Sequence, residues 1–123
     1  MVADEYVPDR GDIVWLDFTP QAGHEQAGRR PAFVISTREF NERSRLGIFC
    51  PITSTSKGFP FEVVLPPTGS VSGSVLIDHI KSLDWQARHV RFATTAKPHT
   101  LTEVFGKLGA LIFPTPSLRD AVT

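Results

Sequence analysis

Cysteine is nearly absent. Cys50 is the only one in 123 residues, which excludes an internal disulfide framework and suits a reducing compartment, so a cytoplasmic setting is expected. Long apolar runs are absent as well. No stretch approaches the roughly 20 apolar residues of a bilayer span, and no basic start leads into an apolar run, so neither a membrane segment nor a secretory leader is expected. Net charge is absent: 13 Lys and Arg balance 13 Asp and Glu, which excludes a blanket attraction to polyanions. The usual signatures of metal and cofactor chemistry are also lacking. The four histidines stand apart at positions 24, 79, 89 and 99, and no HExxH, CxxC or EF-hand loop occurs, so no metal is expected. GxxxxGK[ST], GxGxxG and GxSxG are missing too, which removes the common nucleotide cradles and the serine nucleophile elbow. No cofactor is expected.

What remains is a turn-rich globular sequence. Hydrophobic residues make up 41% and charged residues 21%, enough for one modest core. Residues 1–113 are expected to form a single domain and 114–123 a short tail. DIVWLDF at 12–18 is short, β-branched and aromatic, and reads as a strand. Residues 19–30 carry Pro20, Gly23 and Gly28 among polar neighbours and read as a long loop. Further strands are expected at 32–37, 46–54, 61–65, 74–80 and 89–94, with one helical turn at 38–45. Pro51 predicts an edge or a bulge in the 46–54 strand. Thr100 and Glu103 have capping-box spacing, and Leu101, Val104, Phe105, Leu108 and Leu111 recur at helical spacing, so 101–112 is read as an amphipathic helix. These elements predict a mainly β fold: a small, strongly curved sheet or barrel with small helices and a C-terminal helix. Trp15 and Trp85 are read as core, whereas Phe18 and Phe59 are read as core or as stacking platforms.

Charge is unevenly distributed. Residues 1–20 hold five acids against Arg10, a net of −4; residues 21–58 carry a net of +3, and residues 78–107 a net of +2. A local basic surface on a neutral chain fits a short polyanion better than bulk duplex. Within it, GHEQAGRRP gathers His24, Glu25, Gln26, Arg29 and Arg30. His24 and Glu25 can exchange protons, and Arg29 and Arg30 hold permanent charge. RNA brings its own nucleophile, the 2′-hydroxyl, and needs from a protein a base, a proton donor and a fixed cation for the phosphorane oxygens. Arginine suits the last role, because its planar fork meets phosphate oxygens in pairs. The alternative is structural: a loop held by Arg-to-carbonyl hydrogen bonds.

RGDIVWLDFTPQAGHEQAGRRPAFVIS resembles the opening of the MazF/PemK family, ribonuclease toxins of bacterial toxin–antitoxin pairs. CPITSTSKGFPFEVVL and SGSVLIDHIKSLDW resemble its later segments, so the likeness runs in order over residues 6–113. It implies an SH3-like barrel of the MazF/PemK (CcdB-like) type that works as a homodimer. It also implies sequence-specific, metal-independent cleavage of single-stranded RNA to a 2′,3′-cyclic phosphate and a 5′-hydroxyl. The implied partner is a cognate antitoxin with an acidic, disordered C-terminal segment. Carried over by position, Arg30 would clamp the scissile phosphate and Thr53 would hold a phosphate oxygen or the 2′-hydroxyl. Glu25 would be a base or would orient Arg30. His24, Gln26, Arg29, Ser54, Thr55, Lys57, Asp78, His79 and Lys81 would line the RNA groove. His24 stands where many relatives carry Ser and His79 where many carry Gln, so the target sequence does not transfer. Two rivals share the fold. A gyrase poison depends on a tryptophan near the extreme C-terminus, whereas this chain ends SLRDAVT. A silent binding barrel would need neither Arg30 nor Thr53.

Overall fold

A computed structural model describes residues 5–18, 28–67 and 69–113. The strands are β1 (Asp12–Phe18), β2 (Gly28–Val34), β3 (Gly47–Thr53), β4 (Glu62–Val64), β5 (Ser74–Leu76), β6 (Lys81–Leu83) and β7 (Arg91–Thr95). Helix α1 spans Arg38–Ser44 and α2 spans Pro98–Ile112, and a short 3-10 turn, Ile77–His79, joins β5 to β6. Hydrogen-bonded neighbours run β4-β5-β3-β2-β1-β7, with β6 also on β3, and every pair is antiparallel. The fold is therefore mainly β, as the sequence predicts. Among the described residues the path is open, ending at β4 and β7, rather than a barrel closed by hydrogen bonds.

The central strands β1, β2 and β3 separate two cores. Ile13, Phe33, Cys50 and Ile52 face one, covered by Val104 and Leu108 of α2. Val14, Leu16, Ala32, Val34 and Phe49 face the other, with Trp85 and Leu83. Side chains alternate along a strand, so a strand buried on both faces reads as a nearly continuous apolar run. Each fully buried Leu, Ile or Phe contributes about 1.5–3 kcal/mol, so these strands are firmly held on both faces.

Several elements differ from the sequence reading. Strand β2 begins at Gly28 rather than at 32, because it pairs with β1 down to Phe18↔Gly28 and Asp17↔Arg29; Arg29 and Arg30 are strand residues, not loop residues. Pro51 lies inside a central strand. The first part of β3 pairs with β6 through Phe49↔Lys81, and the last part pairs with β5 from Ile52↔Val75. Pro51 occupies the changeover, where the lost donor has least effect on either ladder. The expected 74–80 strand stops at Leu76 and turns at once. Helix α2 starts three residues early: Lys97 is its N-cap, without a side-chain cap bond, and Pro98 follows. Proline's fixed φ suits the first helical position, so Thr100 is buried inside the first turn instead of capping it. Helix α1 is capped by Thr37, whose side chain accepts from the Phe40 N–H at 3.4 Å.

Candidate active site

The end of the β1–β2 hairpin, the end of β3 and the chain before β5 enclose a cavity of about 280 Å³. Arg29 and Arg30 of β2 both border it. Its apolar walls are Trp15, Pro31, Ile52 and Val71. Ser54, just past β3, and Ser70 and Ser72, just before β5, bring three hydroxyls. The β2–β3 register Ala32↔Pro51, Phe33↔Cys50 and Val34↔Phe49, continued two residues, sets Arg30 opposite Thr53. Thr53 is half-buried at the end of β3 between two lining residues, Ile52 and Ser54, but does not itself line the cavity. Its Oγ1 accepts from the Thr55 N–H at 3.2 Å and faces the Thr55 carbonyl at 3.5 Å, a local loop that fixes the hydroxyl at the strand end.

Gly73 locks the 70–72 segment against this strand end. Its φ is 120°, and a Cβ there would overlap the Thr53 carbonyl oxygen and lie 2.9 Å from that carbonyl's carbon. Only glycine allows this approach.

The two arginines have different surroundings. Arg29 donates to Asp17 Oδ1 at 2.9 Å, to the His89 carbonyl at 2.6 Å and to the Arg88 carbonyl at 3.4 Å. The structural alternative raised for the arginine pair, anchoring by carbonyl contacts, thus holds for Arg29. Asp17 is shared: its Oδ2 lies 2.8 Å from His89 Nδ1. The hydrogen bonds from Arg29 and then from His89 hold the Asp17 carboxyl below its ordinary value. His89 ends the tight turn after Asp84 with φ 54°, a left-handed conformation uncommon outside glycine. Arg30 shares a sheet face with its partner Leu16.

The other expected site residues scatter. Lys57 is exposed, and its backbone N–H and that of Gly58 donate to the buried Glu62 carboxylate at 3.0 and 3.2 Å. Asp78 and His79 are exposed on the 3-10 turn and do not line the cavity. Lys81 sits 5.9 Å from the centre of the Phe18 ring, which is buried, whereas Phe59 is 60% exposed. Glu25, His24 and Gln26 lie outside the described residues. Trp85 is core as expected. Trp15 is half-buried and forms a cavity wall, so reading it simply as core was incomplete. Asp17, His89, Ser70 and Ser72 were missed. The Ser-Val-Ser alternation at 70–72 could have signalled the last two, but nothing local links Asp17 to a histidine 72 positions away. Among the described residues, no group of three or more His, Cys, Asp or Glu could hold a metal.

An Arg-lined cleft lies beside a hydroxyl-bearing strand end on a small β fold, a set of groups with the chemistry to meet a phosphate. Comparison with known proteins narrows that chemistry to a family. Residues 9–112 match the family model of the PemK-like, MazF-like toxin of type II toxin–antitoxin system, and the chain belongs to that family. It is 41% identical over 111 residues to the Escherichia coli K12 protein named endoribonuclease toxin MazF, covering 90% of this chain and 99% of that one. It is similar to the crystal structure of Deinococcus radiodurans MazF, with 55% identity, a TM-score of 0.81, and 88% and 98% of the two chains covered. A MazE–MazF structure from the same organism matches with 53% identity, a TM-score of 0.81, and 90% and 100% coverage.

Proposed function

We propose that this chain is a MazF-type endoribonuclease toxin that cuts single-stranded RNA at a short sequence, without a metal, and thereby blocks translation and growth. The carrying observation is Arg30 on β2, bordering the cleft two residues beyond the Ala32↔Pro51 pair, while Thr53 ends β3 two residues beyond the same pair, in a chain of this family. Proteins similar over nearly its full length are named endoribonucleases. The 2′-oxygen attacks the adjacent phosphorus while the bond to the 5′-oxygen breaks. The 2′-proton passes to a base and the 5′-oxygen gains a proton, leaving a 2′,3′-cyclic phosphate and a 5′-hydroxyl. Arg30 stabilises the charge that develops on the phosphorane oxygens, and Thr53 holds a phosphate oxygen or the nucleophile in line. Glu25 serves as base or orients Arg30. His24, Gln26, Arg29, Ser54, Thr55, Lys57, Asp78, His79 and Lys81 contribute to the RNA surface.

The expected partners follow from the same reading. The toxin works as a homodimer in the cytoplasm and is silenced by a cognate antitoxin with an acidic, disordered C-terminal segment. The solved MazE–MazF pairs of similar chains support the antitoxin. No described helix is long and apolar enough to cross a membrane. The test is cleavage in EDTA of an RNA strand and of the DNA strand of the same sequence. The RNA is expected to be cut and the DNA spared, because only RNA carries the nucleophile; equal cutting of both refutes the mechanism. Arg30→Ala is expected to lower the rate by about 10² to 10³, the usual cost of one preorganised oxyanion donor. A fall of under about threefold would remove Arg30 from that role.

A further inference from the structure

The loop that follows Thr53 has no apolar anchor. Residues 54–60 are all exposed, so burial does not set its shape. Polar contacts do. Thr53 Oγ1 accepts from the Thr55 N–H at 3.2 Å. Ser56 Oγ is hydrogen-bonded to Oγ of Ser74, which is fully buried and stands opposite Thr53 in the β3–β5 register. The Lys57 and Gly58 N–H groups converge on a single oxygen, Oε1 of Glu62, at 3.0 and 3.2 Å.

Glu62 is an uncommon partner for a surface loop. Alternation sets it on the same face of β4 as Val64, which is 65% exposed, whereas Val63 between them belongs to the core. Glu62 is nevertheless only 8% exposed. A carboxylate taken out of water is costly unless its charge is met, and among the described residues no ion pair meets this one. The two loop N–H groups do. The backbone of β4 is in turn tied to α2, where Lys107 donates to the Pro60 and Glu62 carbonyls at 2.9 and 3.1 Å. We infer that Glu62 is a positioning residue for RNA cleavage, a fixed acceptor that holds the loop carrying Ser54, Thr55 and Lys57 in its RNA-binding shape beside Thr53. A loop ordered in advance binds more tightly, because side chains that must be ordered at binding subtract from affinity. The inference rests on the RNA-cleaving reading.

The experiment compares Glu62→Gln and Glu62→Met with the unaltered protein by steady-state cleavage of a single-stranded RNA in EDTA, by thermal unfolding and by amide exchange. Gln keeps an oxygen that accepts both bonds. Met keeps the bulk and removes the acceptor, and an apolar side chain in place of a buried charge often leaves stability equal or higher. For Glu62→Met, KM is expected to rise about tenfold, the cost of ordering one or two side chains at binding, with kcat within about threefold because Arg30 and Thr53 stay on their strands. Its unfolding midpoint is expected not to fall, and exchange at Lys57 and Gly58 is expected to speed up in this variant alone. Glu62→Gln is expected to keep KM within about twofold of the unaltered protein. A merely structural glutamate gives the reverse, a lower midpoint and an unchanged KM in Glu62→Met. That result, or equal losses in the two variants, would overturn the positioning role. Should Glu62→Met not fold, the unaltered protein still decides: its Lys57 and Gly58 amides, on an exposed loop, are expected to exchange at least about tenfold more slowly than those of a free peptide. Exchange at the free-peptide rate overturns the anchor. If the unaltered protein does not cut RNA, the cleavage reading fails instead, and the exchange rates report the anchor separately.

Discussion

Gly73→Ala tests the coupling between fold and site most directly. At φ 120° any Cβ is strained, and such a conformation costs about 1–3 kcal/mol outside glycine. The new methyl carbon would lie 2.9 Å from the Thr53 carbonyl carbon and 3.1 Å from Ser54 Cα, against about 3.5–4.0 Å for comfortable carbon contacts. The strand end must retreat by more than half an ångström, and overpacking of this kind typically costs about 1–3 kcal/mol more. The sum, about 2–6 kcal/mol, is a large part of a typical stability of about 5–15 kcal/mol. Gly58→Ala is the control, since Gly58 also has positive φ, 72°, but its Cβ would meet nothing within 4 Å. It bears the conformational cost without the collision. Thermal unfolding is expected to drop by roughly 3–5 °C per kcal/mol, and more in Gly73→Ala than in Gly58→Ala. RNA cleavage measured well below either midpoint should fall by up to about 10² in Gly73→Ala alone, because a displacement near 1 Å can cost that much. Equal melting and equal cleavage in the two variants would show that the 70–72 segment does not set the position of Thr53.

Three further outcomes follow from individual residues. Arg29 and His89 hold the Asp17 carboxyl below its ordinary value of 3.8, so the link stabilises the fold above that pH and is lost as pH falls through the lower folded value; an Asp17 carboxyl that titrates by NMR at or above 3.8 would mean the pair is not made. Tyr6, the one tyrosine, is raised above its ordinary 10.0 by burial, by its hydrogen bond to Asp12 and by repulsion from that carboxylate. Its contribution is full below pH 10 and is lost as pH climbs further, so ultraviolet titration should show the phenol ionising only together with unfolding; ionisation of the folded protein near pH 10 would contradict this. Burial pushes the Cys50 thiol up to about 12, so an alkylating reagent at pH 8 should label native protein at least roughly 10²-fold more slowly than denatured protein; equal rates would show that the strand core opens readily.

The sequence made legible what local chemistry dictates. The short apolar run DIVWLDF located β1, which is buried on both faces, and the spacing of Val104 and Leu108 located α2, because burial of one helix face leaves a period. Arg30 and Thr53 were visible through the family pattern around them. Pro51 was misread because proline marks a lost donor but not which neighbour goes without it, and here β3 changes partners at that point. Arg29 was assigned to the loop because Gly28 and its polar neighbours resemble a turn, whereas hairpin pairing with Asp17 extends the strand to Gly28. The Asp17–His89 contact is a tertiary fact. It depends on segments distant in sequence meeting, which no local pattern records.

The adjacency of Arg29 and Arg30 becomes meaningful only once both are on a strand. Neighbours in a strand point to opposite faces, so the pair cannot act as one cationic patch. Arg29 is committed to a carboxylate and two carbonyls, and these bonds tie the hairpin end to the 88–89 turn. That anchoring fixes the backbone of the very next residue. Electrostatic catalysis depends on charge placed before the reaction begins, since a cation that must first be ordered gives up part of its benefit. In its proposed role Arg30 would carry that ordering cost on a free loop. On β2 the backbone cost is met during folding, by the hairpin register and by Arg29.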